Sequence, residues 1–105
     1  MQICRKRERS WKGIMEGTEF CGLRINEQQG GAALIRMKKG TRFPVHDHKS
    51  FEETLVLSGV VSIGGQRFEE GDYLYTEQGE KHDVVAEEDL LMYVTVESGI
   101  EIVGE

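Results

Sequence analysis

Two of the chain's three histidines stand one residue apart, in His46-Asp47-His48. On a strand, residues i and i+2 face the same side about 6.6 Å apart. Both imidazoles can therefore converge on one ion at bonds of ~2.0–2.1 Å, while Asp47 points the other way. Glu52 follows a short polar turn, Lys49-Ser50, and can return on the neighbouring strand to offer an oxygen to the same ion. Glu53 competes with it for that role. His82 comes much later in the sequence, which suits a barrel where distant strands lie side by side. A lone histidine usually makes ordinary hydrogen bonds; three that can meet beside a carboxylate point to metal chemistry. His46, His48, Glu52 and His82 are thus the candidate ligands of one divalent metal ion, and Zn, Fe, Mn or Ni all suit such nitrogen and oxygen donors.

Strands must position these residues. Glycine is abundant, with 13 residues, Pro44 is the only proline, and the apolar runs are short. That composition predicts many short strands joined by tight turns. The patterning predicts strands over 18–25, 32–38, 43–48, 53–57, 60–63, 66–69, 73–76, 82–86, 90–96 and 100–103, with a further candidate around Ile14. Asn26 to Gly31 reads as a polar loop, and Gly64-Gly65 as a two-residue hairpin turn, because both glycines can take φ > 0. No sustained helical period occurs; the best helical candidate is the polar stretch near the N-terminus. The fold class is all-β, a barrel or sandwich. The length suits one core, with residues 1–10 a basic N-terminal segment and 11–105 a single domain.

The net charge is −6 at pH 7, and the body of the chain carries nearly all the acid. An acidic body does not attract a phosphate backbone, which excludes a nucleic-acid role. Arg5, Lys6, Arg7 and Arg9 read as a solvated, partly frayed terminus. Cys4 and Cys21 make neither a disulfide framework nor a CxxC pair, and Cys21 reads as a buried thiol. No stretch has the length of a membrane span, and no apolar signal core follows Met1. The expectation is a cytoplasmic protein with no membrane partner.

The residues also carry a resemblance. Gly40-x5-His46-x-His48-x3-Glu52-x6-Gly59 resembles the first motif of the cupin superfamily, with every defining residue present. Gly71-x5-Glu77-x-Gly79-x2-His82 resembles the second, which usually has proline where this chain has Glu77. The asparagine that often closes that motif is Ala86 here. The two motifs cover Gly40 to Ala86, nearly half the chain. The resemblance implies a double-stranded β-helix, the jelly-roll β-barrel of the cupins. The spacing to Gly59 favours Glu52 over Glu53 as the carboxylate ligand. A narrower resemblance is to the ChrR-type cupins, found in some anti-sigma factors and in small enzymes that cleave β-diketones with dioxygen. It rests on Leu34-Ile35-Arg36, Lys39-Gly40, Glu52-Glu53-x-Leu55-Val56-Leu57-x-Gly59, Gly71-Asp72-Tyr73 and the early Trp11.

Three functions fit this reading. The first is a mononuclear metal-dependent enzyme of dioxygenase type acting on a small organic substrate. The second is a non-catalytic zinc- or ligand-binding sensor module. The third is a metal-dependent isomerase or epimerase. No general base stands out. Phe43, Tyr73, Tyr75, Met37 and Met92 are candidates to line a pocket beside the metal, although barrel filling is the plainer fate; Arg36 fits equally a partner for a substrate carboxylate and an outward-facing arginine. Glu80 and Asp83 read as loop and surface charges. A homodimer is expected, because the strand candidates around Ile14 and Phe20 are free to lie along a partner's sheet, and because Leu90 to Val96 is apolar on both faces and only one face can point into the barrel.

Overall fold

A computed structural model describes residues 1–104. In chain order the strands are β1 (Lys12–Met15), β2 (Thr18–Ile25), β3 (Gln29–Met37), β4 (Arg42–His48), β5 (Glu52–Ser58), β6 (Val60–Ile63), β7 (Gln66–Glu69), β8 (Tyr73–Thr76), β9 (Lys81–Ala86), β10 (Leu90–Ser98) and β11 (Ile100–Ile102). A 3-10 turn at Lys6–Glu8 stands where the sequence offered a helix. The strands form a six-stranded antiparallel sheet, β1-β2-β3-β10-β5-β8, facing a five-stranded one, β11-β4-β9-β6-β7. This is the expected all-β jelly roll. From β3 onward the chain changes sheet at every connection but the β6–β7 hairpin. That is why β9, distant in sequence, pairs with β4.

Burial follows the period of two. Along β10, Leu90, Met92 and Val94 are buried while Leu91, Tyr93 and Thr95 are only partly covered. The inward residues meet Met37, Val56, Val61, Ile63, Val84 and Ala86 between the sheets. Each fully buried aliphatic side chain of this kind contributes about 1.5–3 kcal/mol. At the β6–β7 turn, Gly64 and Gly65 have φ of 57° and 81°, so both adopt the left-handed conformation that this hairpin requires.

Two expectations change. Gln29, Gly30 and Gly31 belong to β3 rather than to a loop. The glycines are there because the chains crowd: a Cβ on Gly31 would run into the Arg24 carbonyl, and one on Gly30 into Glu97. The strands around Ile14 and Phe20, expected to be free for a partner, pair within the chain, β2 with β3 and β1 with β2. The basic segment lies near the outer face of the six-stranded sheet. There Lys6, Arg9 and Trp11 share a cleft with Arg36, Ser58 and Leu91. Cys21 and Leu34, in register on that sheet, are buried; Cys4 is exposed. Among the described residues, no helix is long and apolar enough to cross a membrane.

Candidate metal centre

The site begins with an irregularity in β4. Phe43 pairs with Val84 and His46 with His82, so three steps on β4 match two on β9. The extra residue is a β-bulge at Pro44-Val45, a place where proline's missing N–H costs little. The bulge changes the parity of the strand. Phe43 and His46, three apart, both line the interior, and His48 follows on the same face as His46. The Phe43 and His46 rings meet edge-on at 5.1 Å.

His82 is the cross-strand neighbour of His46. Glu52 reaches the same place from the opposite sheet, as the first residue of β5. One ligand atom from each of His46, His48, Glu52 and His82 lies within 4.8 Å of the others. Ring centroids are 4.6 Å apart for His46–His48 and His48–His82, and 5.1 Å for His46–His82. Donors bound to one ion at ~2.0–2.2 Å stand roughly 3–4.4 Å apart, so a small inward movement would seat it. The donor set, three imidazoles and a carboxylate, also fits a divalent ion.

Backbone carbonyls orient two of the rings. His46 Nδ1 is 2.9 Å from the Pro44 carbonyl oxygen, and His48 Nδ1 is 2.8 Å from that of Glu80. A proton held on Nδ1 leaves Nε2 facing the centre. The Glu80 carbonyl is itself fixed by a tight turn. The Glu77 N–H donates to Glu80 Oε2 at 2.6 Å, and the Glu80 N–H to the Glu77 carbonyl at 3.1 Å.

The three imidazoles differ electrostatically. Burial holds His46 below the usual imidazole value, against the opposing pull of the Pro44 carbonyl. Burial also holds His82 down, with added repulsion from His48 and His46. Burial pulls on His48 too, but its hydrogen bonds to Glu52 and the Glu80 carbonyl outweigh this, and the net direction is upward. His46 and His82 are thus biased toward the neutral form that can coordinate a metal, and His48 toward the charged form.

Glu52 and Glu53 separate cleanly. Glu52 faces the cluster, with Oε1 3.1 Å from His48 Nε2. Glu53 faces outward and accepts from Tyr73 Oη at 2.7 Å and Thr95 Oγ1 at 3.3 Å. Beside the cluster lies a cavity of about 210 Å³, lined by His46, Glu52 and His82 together with Phe43, Met37, Leu74 and Met92. Tyr73 and Tyr75 do not line it; they are on the outer face, where Tyr75 stacks on Phe51 at 5.7 Å. Arg36 is outside as well, paired with Glu19 at 2.7 Å and lying 3.9 Å over the Trp11 ring. Asp83 pairs with Arg42 at 2.9 Å.

Sequence reasoning passed over the Pro44 and Glu80 carbonyls, because every residue has one. A proline two residues before His46 was the one visible sign of the bulge. It also passed over Thr18 and Thr76, whose hydroxyls are buried with no hydrogen-bond partner.

Comparison with known proteins identifies the chain. The ChrR cupin-like domain matches residues 1–99. The chain belongs to the ChrR cupin-like family. This ChrR-like cupin is 28% identical over 99 residues to the DNA damage-repair/toleration protein DRT102 of Arabidopsis thaliana, covering 89% of the chain but only 31% of that protein. It spans about a third of that relative's length. It also resembles a chain in the crystal structure of Rhodobacter sphaeroides SigE in complex with the anti-sigma ChrR. There the TM-score is 0.77 and the identity 27%, over 89% of this chain and 52% of that one. An acetylacetone dioxygenase from Acinetobacter johnsonii shares the fold, with a TM-score of 0.83 and 14% identity, over 100% of this chain and 78% of that one. The ChrR-like cupin departs from the usual second motif at Glu77, and the departure has a local consequence. Proline there would remove the N–H that donates to Glu80. Ala86, in the asparagine position, is fully buried in the core.

Proposed function

We propose that this ChrR-like cupin holds one divalent metal ion through His46, His48, Glu52 and His82, and is a mononuclear metal-dependent enzyme of dioxygenase type. Its substrate is a small, mostly apolar organic molecule. The observation that carries this reading is that the cluster opens onto a cavity: His46, Glu52 and His82 line the same space as Phe43, Leu74 and Met92. A structural metal site is closed by protein on all sides, whereas a reactive one keeps open positions. Four protein donors leave two positions on an octahedral ion. A bound iron or manganese ion would supply the redox chemistry with dioxygen.

The chain's own residues supply the setting. The apolar walls exclude water and hold an apolar body against the ligands. The Pro44 and Glu80 carbonyls fix the rings of His46 and His48. The fold shared with an acetylacetone dioxygenase supports β-diketones as the first substrates to test. The experiment is metal analysis of untagged protein, then oxygen uptake by the iron-loaded form with β-diketones and keto acids. Substrate-dependent oxygen uptake is expected. Tightly bound zinc and no uptake with any of them would overturn the enzyme reading.

That second outcome is the sensor reading, which the 27% identity to a chain of the SigE–ChrR complex favours. In it the barrel holds zinc, and ligand or oxidant access alters its surface.

The proposed assembly is a homodimer. Outward from β10, Leu55, Leu57, Tyr73 and Tyr75 are exposed on the six-stranded sheet, leaving an apolar face that a second copy can cover. Sedimentation equilibrium at micromolar concentration decides this; a mass near 11.9 kDa would exclude the dimer.

A further inference from the structure

Thr76 ends β8, directly opposite Glu52 in the register of β5 and β8. Residues paired in this way face the same side with Cβ atoms about 4.5–5.5 Å apart. Thr76 is only 1% exposed, and its Oγ1 has no hydrogen-bond partner. Buried hydroxyls are almost always satisfied, so an orphan beside a candidate ligand calls for an explanation.

Glu52 supplies one. Its Oε1 now lies 3.1 Å from His48 Nε2. If both atoms turn to an ion, that contact opens and the carboxylate loses its hydrogen-bonding neighbour. A carboxylate ligand is normally held by a donor behind it. Thr54, the next inward residue of β5, stands a step further from Glu52 along the strand than its cross-strand partner Thr76 does; other hydroxyls near this end are committed. Ser50 Oγ accepts from the Glu97 and Ser98 N–H groups. Thr95 Oγ1 is on Glu53. The other orphan hydroxyl, that of Thr18, is beside Met37, six residues along β3 from Gly31, which Val96 links to Glu52. That is roughly 20 Å away along the sheet.

We propose that Thr76 is a positioning residue of the metal centre. Its hydroxyl donates to the Glu52 carboxylate once His48 and Glu52 have turned to the ion, and so fixes the carboxylate in its binding orientation. This rests on the reading that the cluster holds a metal.

The test uses Co²⁺ as the probe, titrated into the metal-free protein and into T76V and T76S. Valine keeps the shape and removes the hydroxyl; serine restores it. T76V is expected to bind Co²⁺ about tenfold more weakly, with a shifted visible absorption band and an apoprotein melting temperature unchanged or raised. T76S is expected to return affinity and spectrum to wild-type values. Unchanged Co²⁺ affinity in T76V would overturn the proposal. So would a fall in T76V apoprotein stability that T76S does not rescue. Wild-type protein that takes up no Co²⁺ would overturn the metal reading itself, and this role with it.

Discussion

His48 Nε2 and Glu52 Oε1 are 3.1 Å apart, and both side chains belong to the candidate ligand cluster. Protein and metal therefore compete for the same pair. His48 is held above the usual imidazole value by Glu52 and the Glu80 carbonyl, so an ion binding there meets more competition from protons than at a free imidazole.

Metal binding is accordingly expected to release protons and to weaken as pH falls through about 6, given an unperturbed imidazole pKa of ~6.5. A titration of bound metal from pH 8 to 5 checks this. Flat occupancy across that range would contradict a site built on histidine.

The metal-free protein should behave differently. His46 and His82 are depressed, so the unfolded chain binds more protons below ~6.5, and their contribution is lost as pH falls through that region. His48 is raised, so its contribution is present below ~6.5 and lost as pH rises through its folded-state value. From these groups, apoprotein stability should peak near pH ~6.5. A scan of melting temperature against pH in chelator would show the peak; a minimum there would refute the assignment.

Substitutions separate ligands from neighbours. His46→Ala and His82→Ala should each lose metal severely, since each removes one of four protein donors. Glu52→Gln should weaken binding much more than Glu53→Gln, because Glu53 is on the outer face with Tyr73 and Thr95. Metal analysis of the purified variants reads all four; the reverse order of the glutamates would move the site by one residue.

Gly31→Ala should destabilise the fold by about 3 kcal/mol, from a φ of 124° and a Cβ driven into the Arg24 carbonyl. Gly13→Ala, with open space around it, should cost nothing measurable. Denaturant midpoints of the two variants compare them directly.

Much of this architecture was legible because a period of two and glycine-marked turns encode strands directly. The strands from Val60 to Thr76 stand where the patterning put them. The loop expected up to Gly31 failed because glycine marks both turns and close backbone approaches, and only the fold tells them apart. The four candidate ligands were visible from residue type and spacing, and the structure brings them together. Their supports were not visible, since a carbonyl carries no side-chain signature. Nor was the outward placement of Tyr73 and Tyr75, which depends on the phase of β8 against β5.

The candidate ligands are divided unevenly between the sheets: His46, His48 and His82 come from β4 and β9 on one side, and Glu52 alone from β5 on the other. Mechanically, an ion here would act as a rivet through two plates, with one carboxylate bearing the whole load on the far plate. The apolar core already clamps the opposite end. Removing the ion would therefore loosen the sandwich like a clamshell, from the His–Glu end inward. Hydrogen exchange should then quicken first at the strand ends around Glu52 and Val96, while Met37 and Leu90 stay protected.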